Sequence, residues 1–263
     1  MEAPETGPIE YFEFTEEMKS EAELALSQDK TELSPFIYNK FETQAPKMWN
    51  VFYKHNSTHF YKDRHYISKE FPELASVSKL LEVGCGVGNA IFPLLEEFPL
   101  LQAQVCDFSE EAIRLLVNND KFDGSRVKAN VCDISKNSPF EDDECEAVLM
   151  LFVLSAIAPE KHRQAVLNAT RGLRSGGVVL FRDYAKYDLA QIRLAMKGKK
   201  KLKDGFYLKQ DGTRVFYFTK EDLERIFEGF TPIENEYQCR VVKNRKDEKT
   251  MYRIWIQGKF IKD

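Results

Sequence analysis

The sequence predicts an α/β fold built on a doubly wound, mostly parallel sheet. Three observations carry that expectation. First, the apolar run Leu80-Leu81-Glu82-Val83 enters a glycine turn, Gly84, Gly86 and Gly88, and leaves it in the helical pattern Ile91-Phe92-Pro93-Leu94-Leu95. Strand, glycine turn and helix start make a cradle: glycines let the backbone pass close to a ligand, and the helix start offers free N–H groups to an anion. Second, strands and helices then alternate at the spacing of a parallel sheet. Third, Asp107 stands about 20 residues after the last glycine, at the end of the next apolar strand, where such folds hold ribose hydroxyls. The spacing is G-x-G-x-G, unlike the G-x-G-x-x-G of dinucleotide-binding turns.

Taken in order, residues 1–32 hold ten acidic and two basic side chains and carry little patterning. The segment reads as a solvated tail or helix with mobile ends. The chain beyond is mildly basic, which permits an RNA partner without demanding one. Ser34-Pro35-Phe36-Ile37 breaks the line. Pro46 to Lys54 reads as a short helix with Trp49 and Tyr53 on one face. Aromatic and basic residues then mix from Phe60 to Tyr66, and Pro72 ends that stretch. Strands are expected near 79–83, 101–107, 126–132, 147–152 and 178–183. Ser109 caps a helix between the second and third. The acidic run Glu141-Asp142-Asp143-Glu144 reads as a solvated loop, and Pro159 starts a helix running to about Leu173.

Residues 187–203 read as a helix with a basic end, including Lys199 and Lys200. Asp211-Gly212 between aromatic runs signals a hairpin. Thr219 and Asp222 form a capping-box pattern for a helix over Glu221–Phe227. Two late strands, about 235–242 and 250–260, flank the charged turn Lys243 to Lys249. They fit an antiparallel addition to the sheet.

The 263 residues suit one α/β domain with an attachment, or two small domains, and 43% hydrophobic residues support a large core. No run approaches ~18 consecutive apolar residues, so no membrane helix is expected. The acidic start resembles neither a secretory nor a transit signal. Five cysteines without a C-x-x-C pair point to reduced thiols in an intracellular protein; the expected location is cytoplasmic, with the nucleus as a further one. The four histidines lack metal spacing, so no metal is assigned.

These segments together resemble class I S-adenosylmethionine-dependent methyltransferases, whose seven-stranded sheet ends in a reversed strand. More narrowly, the chain resembles the tRNA N3-methylcytidine methyltransferases. The matching segments are Trp49-x-x-Phe52-Tyr53, Phe60 to Tyr66, Leu81 to Asn89, Val105 to Ser109, Phe152 to Ile157, Phe181-Arg182-Asp183-Tyr184, Phe206-Tyr207 with Asp211 to Arg214, and Met251 to Ile256. The family pattern has glycine after Arg-Asp-Tyr, where this chain has Ala185.

The resemblance implies that residues 1–78 are an acidic tail and an aromatic/basic lid or RNA-binding extension. Residues 79–263 would be the methyltransferase domain, with a hairpin insertion at about 187–218. It implies S-adenosylmethionine as cofactor, held at Gly84 and Gly86, with Asp107 on the ribose beside Phe108. Asp133 would face the adenine amino group, Ile134 would pack on its ring, and Leu151 would lie at the pocket. Trp49 and Tyr53, which helical spacing alone would place in a core, become a lid. The implied reaction makes N3-methylcytidine at position 32 of the anticodon loop of serine or threonine tRNA. Seryl-tRNA synthetase or another accessory protein would be a partner of the serine type.

Asp183, at the end of the fifth strand, is the candidate to stabilise the charge that forms on the base, with Tyr184 as its stacking or hydrogen-bonding partner. Lys62, Arg64, Lys199, Lys200 and Arg214 are the candidate phosphate contacts. Two other readings stay open: a methyltransferase for a protein or small molecule, and a non-catalytic scaffold binding RNA or a synthetase. The intact glycines and acids speak against the scaffold, and the aromatic-basic segments speak against a protein or small-molecule substrate.

Overall fold

A computed structural model describes residues 10–58, 61–139, 145–244 and 249–263. Phe60, the acidic run 141–144, the first nine residues and the centre of the late turn, 245–248, lie outside the described residues.

The chain opens with the two-residue strand β1 (Glu10–Tyr11) and helices α1 (Glu16–Gln28), α2 (Pro35–Thr43), α3 (Ala45–Asn56) and α4 (Ile67–Glu70). Next come β2 (Lys79–Val83), α5 (Ile91–Glu97), β3 (Gln102–Asp107), α6 (Glu110–Val117) and β4 (Val127–Val131). They are followed by β5 (Cys145–Leu151), α7 (His162–Ala169), β6 (Leu173–Tyr184) and α8 (Leu189–Lys197). The short strands β7 (Lys201–Lys203), β8 (Phe206–Leu208) and β9 (Arg214–Phe216) precede α9 (Lys220–Ile226) and the long hairpin β10 (Phe230–Asn244) and β11 (Lys249–Lys262).

The main sheet has the order β1-β10-β11-β6-β5-β2-β3-β4. Strands β4, β3, β2, β5 and β6 pair in parallel, and β11 runs antiparallel to both β6 and β10. The strand order reverses at β2, so a crevice opens beyond the ends of β2 and β5, where α/β sheets take ligands. Both faces are covered. Leu81, Val83, Val148, Met150 and Phe181 pack under α7 and α9, while Leu80, Val105, Leu149 and Leu151 pack under α5 and α6. Burial on both faces explains why β5 reads as an unbroken apolar run from Ala147 to Leu151.

Two expectations need correcting. The sheet has an eighth strand, because Glu10–Tyr11 pairs with the outer edge of β10, and Phe12 and Phe14 pack against the core. The acidic start takes the helical one of its two readings as α1, capped by the Thr15 side chain, and Ser34 caps α2 with Pro35 in its first turn. Finally, the helix expected over 187–203 stops at Lys197, where Gly198 and Lys199 take left-handed φ angles of 65° and 53°. Residues 201–203 then pair with β8 in a small separate sheet, which contains the expected hairpin.

Candidate active site

The glycine turn follows β2 directly. Gly84 and Gly86 have φ angles of 66° and 54°. A Cβ on Gly84 would lie 2.4 Å from Val153 Cγ2, and one on Gly86 would lie 2.8 Å from Tyr53 Oη. Both positions therefore need glycine for backbone conformation and for space. The Asp107 carboxylate shapes the turn: Oδ2 accepts the Gly86 N–H at 3.0 Å and Oδ1 accepts the Ser109 N–H at 2.9 Å. Burial pushes the Asp107 carboxyl up to about 6, against the backbone donors that favour its ionised form.

A cavity of about 350 Å³ opens at the C-terminal ends of the strands. Gly84, Asp107, Phe108, Asp133 and Ile134 line one side, and Trp49 and Tyr53 of α3 line the other. Helix α3 is fastened there by Asn50, whose Oδ1 accepts from Ser109 Oγ at 2.6 Å. Burial would raise the Asp133 carboxyl, but Lys136 at 2.9 Å and Ser135 hold it below its ordinary value. A second cavity of about 60 Å³ shares Trp49, Tyr53, Gly84 and Phe152 with the first. It adds Gly86, Leu151, Asn89, Tyr61, Arg64 and Glu82. Glu82 is 3% exposed, and its Oε2 has no hydrogen-bond partner among the described residues. Burial pushes its carboxyl up to about 8, with Arg64 working the other way.

All nine residues expected at a cofactor thus lie on two adjoining cavities: seven line the larger, and Gly86 and Leu151 line the smaller. The other candidates divide. Asp183 is fully buried and lines neither cavity; its oxygens accept the N–H groups of Ser155 and Tyr184, each at 2.9 Å. Burial pushes the Asp183 carboxyl up to about 7. The carboxylate is a clamp on the loop after β5, whose Phe152, Val153, Ala156 and Ile157 wall the larger cavity. The half-buried Tyr184 ring lies 4.9 Å from that of Phe152.

Lys62 and Lys199 are exposed and Lys200 partly so, but Arg64 and Arg214 turn inward. Arg214 is 6% exposed, ion-paired with Glu42 of α2, and donates to the Ala156 carbonyl at 3.0 Å. Glu42 also meets Lys161 at 2.5 Å, which ties α2 across the mouth of the larger cavity. Ala185, where the family pattern has glycine, donates its N–H to the Ile254 carbonyl and has no left-handed φ, so a side chain is accommodated.

Sequence reasoning passed over Glu82, Glu42 and Phe152 as site residues. Glu82 carried a signal, as the one acid in an apolar strand. Phe152 carried none, since its φ of 58° is visible only in the structure. Among the described residues no group of three or more His, Cys, Asp or Glu side chains is placed to hold a metal ion.

The fold and this pair of cavities define a class I methyltransferase. A family model described as a methyltransferase domain matches residues 80–177. Among solved structures, a SAM-dependent methyltransferase from Anabaena variabilis superposes with a TM-score of 0.62 at 14% identity, covering 83% of this chain and 95% of that one. A Burkholderia thailandensis 1,6-didemethyltoxoflavin-N1-methyltransferase superposes with a TM-score of 0.59 at 14% identity, covering 89% and 93%. At these identities the likeness is one of fold. Sequence relatives are nearer. The Homo sapiens tRNA N(3)-cytidine methyltransferase METTL6 is 41% identical, covering 93% of this chain and 90% of the relative. The Drosophila melanogaster tRNA N(3)-methylcytidine methyltransferase Mettl2 is 38% identical, covering 96% and 82%. The chain belongs to the tRNA N3-cytidine methyltransferase family.

Proposed function

We propose that this protein methylates N3 of a cytidine in the anticodon loop of a tRNA, at position 32, with S-adenosylmethionine as donor. Serine and threonine tRNAs are the proposed substrates, with seryl-tRNA synthetase or another accessory protein assisting on the serine type. The observation that carries the cofactor reading is the second cavity. It sets a buried carboxylate with an orphaned oxygen, Glu82, beside the Arg64 guanidinium, and it adjoins a nucleoside-sized space. That arrangement fits a ligand with an ammonium and a carboxylate at one end and a nucleoside at the other. The tRNA reading rests on the relatives.

When bound, S-adenosylmethionine supplies a methyl group that is already strongly electrophilic. Asp107 would accept from the ribose hydroxyls, Asp133 would face the adenine amino group, and Glu82 and Arg64 would hold the amino-acid end. Cytidine N3 carries a lone pair and no proton, so the chain needs no general base, and catalysis is mainly positioning. Asp183 keeps the loop after β5 in place. N3 lies on the pairing edge, so the base must be unpaired or extruded, which a single-stranded loop permits. Lys62 and Lys199, both exposed, and Lys200, partly so, are the cations proposed for the phosphates. Residues 1–78 act in this reading as lid and RNA-facing extension of the catalytic body.

Product formation, in vitro and in cells, tests it first, and proton release on binding tests it second. Purified protein with cofactor should form 3-methylcytidine in threonine tRNA, and in serine tRNA once the synthetase is added. Unchanged 3-methylcytidine in tRNA from cells lacking the gene would sink the reading. The second concerns Glu82. With its carboxyl at about 8, Glu82 holds a proton at pH 7. An ammonium beside it lowers that value, so cofactor binding at pH 7 should release up to about one proton to the buffer. Calorimetry in buffers of different ionisation enthalpy reads this directly. The release should vanish in Glu82→Gln, which should also bind about tenfold more weakly. At pH 9.5 it should give way to proton uptake, because the carboxyl is then ionised and the ligand's own α-amine must gain a proton to bind as an ammonium. Equal proton release by Glu82→Gln and the unsubstituted protein would remove Glu82 from the site.

A further inference from the structure

Four residues line both cavities, and three of them are aromatic: Trp49, Tyr53 and Phe152, with Gly84 the fourth. On the cofactor reading above, on which this inference rests, the sulfonium joins the nucleoside to the amino-acid end. It must therefore lie where the two cavities meet. The aromatic faces there carry negative potential, which attracts a cation and is indifferent to a neutral thioether.

The geometry supports cation-accepting rings. The Trp49 and Tyr53 centroids are 5.9 Å apart at 33°. The Arg64 guanidinium lies 4.9 Å from the Phe152 centroid, and Lys209 Nζ lies 5.5 Å from that of Trp49. Phe152 reaches the junction only by taking a φ of 58°, a costly conformation for a bulky side chain. Its N–H donates to the Arg182 carbonyl at 2.8 Å, and the Trp255 ring packs on it at 5.3 Å, so the strained position is fixed from two sides.

We infer that Trp49, Tyr53 and Phe152 form an aromatic cage for the sulfonium charge, by which the site distinguishes S-adenosylmethionine from its neutral product, S-adenosylhomocysteine. Ground-state attraction of this kind does not speed methyl transfer itself. It acts on exchange: once the methyl has left, the sulfur is uncharged, the cage loses its hold, and fresh cofactor displaces product more readily.

The test compares the affinities of three ligands by calorimetry: S-adenosylmethionine, S-adenosylhomocysteine, and an analogue with a protonated amine in place of the sulfonium. Phe152→Leu should weaken the two charged ligands about three- to tenfold more than the thioether. Fluorinated phenylalanines placed at position 152 keep the ring's shape while draining its face of negative charge. They should produce the same divergence, growing with each fluorine, even if Phe152→Leu proves unstable. Equal losses for charged and neutral ligands along the fluorine series would overturn the cage and leave Phe152 a shape-filling wall. If none of the three ligands binds the unsubstituted protein, the cofactor reading itself fails, and the cage with it.

Discussion

Asp107→Ala should weaken S-adenosylmethionine binding about a hundredfold while leaving a folded sheet. The side chain has two tasks. It holds the glycine turn through the Gly86 and Ser109 N–H groups, at 3.0 and 2.9 Å, and in the proposed function it accepts from the ribose hydroxyls. Hydrogen bonds to a charged group are worth about 1.5–3 kcal/mol each, so losing two corresponds to roughly a hundredfold or more. Asp107→Asn keeps an acceptor and should lose less. The pH dependence separates the charge from the shape. With its carboxyl at about 6, Asp107 takes up a proton as pH falls through that value, so affinity should drop below pH 6, and Asp107→Asn should lack that step.

Stability runs the other way. The folded value lies above the ordinary 3.8, so the ionised side chain costs the fold increasingly as pH rises from about 4 to 6. Asp107→Asn should therefore melt no lower than the unsubstituted protein at neutral pH without cofactor. Calorimetric titration, with circular dichroism for the fold, measures both effects. Unchanged affinity in Asp107→Ala would leave Asp107 as a turn and helix cap and nothing more.

The parallel half of the sheet was legible because its strands are buried on both faces and its glycine turn has a fixed chemistry. Backbone conformation and burial demand particular residues there, and the chain displays them. The N-terminal caps were legible in principle and were passed over: Thr15 and Ser34-Pro35 have the composition of helix starts. Gly198 was a stop signal inside the run read as one helix. Side-chain direction was not legible. Arg214 sits in a hairpin among basic residues and reads as a surface cation. Only the arrival of Glu42, 172 positions away in the chain, makes it an internal ion pair. Asp183 was read correctly as lying near the end of its strand. What its carboxylate faces depends on how the loop after β5 folds back, and no local pattern encodes that. Glu82 shows the converse: its isolation in an apolar strand was visible, but its meaning required Arg64 from another segment.

Glu70→Ala should cost the fold about 3–5 kcal/mol, the largest stability effect we expect from one polar substitution. Arg182, on β6, is fully buried, and the Arg240 side chain on β10 is 2% exposed. Both reach the Glu70 carboxylate of α4 at 2.5 Å. The guanidiniums lie against aromatic rings, Arg182 at 5.4 Å from Phe71 and Arg240 at 5.1 Å from Trp255. Gln257 accepts from Arg182 and donates to Glu234 at 2.9 Å, and Lys259 bridges Glu234 and Glu73 at 3.1 and 2.8 Å. Three carboxylates and three cations therefore balance across α4, the turn after it, β6, β10 and β11. Removing Glu70 leaves two buried guanidiniums facing one another without the carboxylate between them, the costly half of a buried ion pair. Glu70→Gln should fall between, because it keeps hydrogen bonding but not charge.

Burial would raise the Glu70 carboxyl, but Arg182 and Arg240 outweigh it and hold the value below 4.5. A depressed folded value means that the stabilisation is complete above the unfolded value and is lost as pH falls below about 4.5. Denaturant unfolding at pH 7 and pH 4 measures this, and the gap between unsubstituted protein and Glu70→Ala should narrow at the lower pH. The same segment carries Arg64 to the smaller cavity, with the Arg64 N–H on the Asn89 carbonyl at 2.7 Å. Loosening α4 should therefore also weaken cofactor binding in the fraction that stays folded. A loss below about 1 kcal/mol at pH 7 would mean that water reaches the two arginines and that the network does not hold α4 to the sheet.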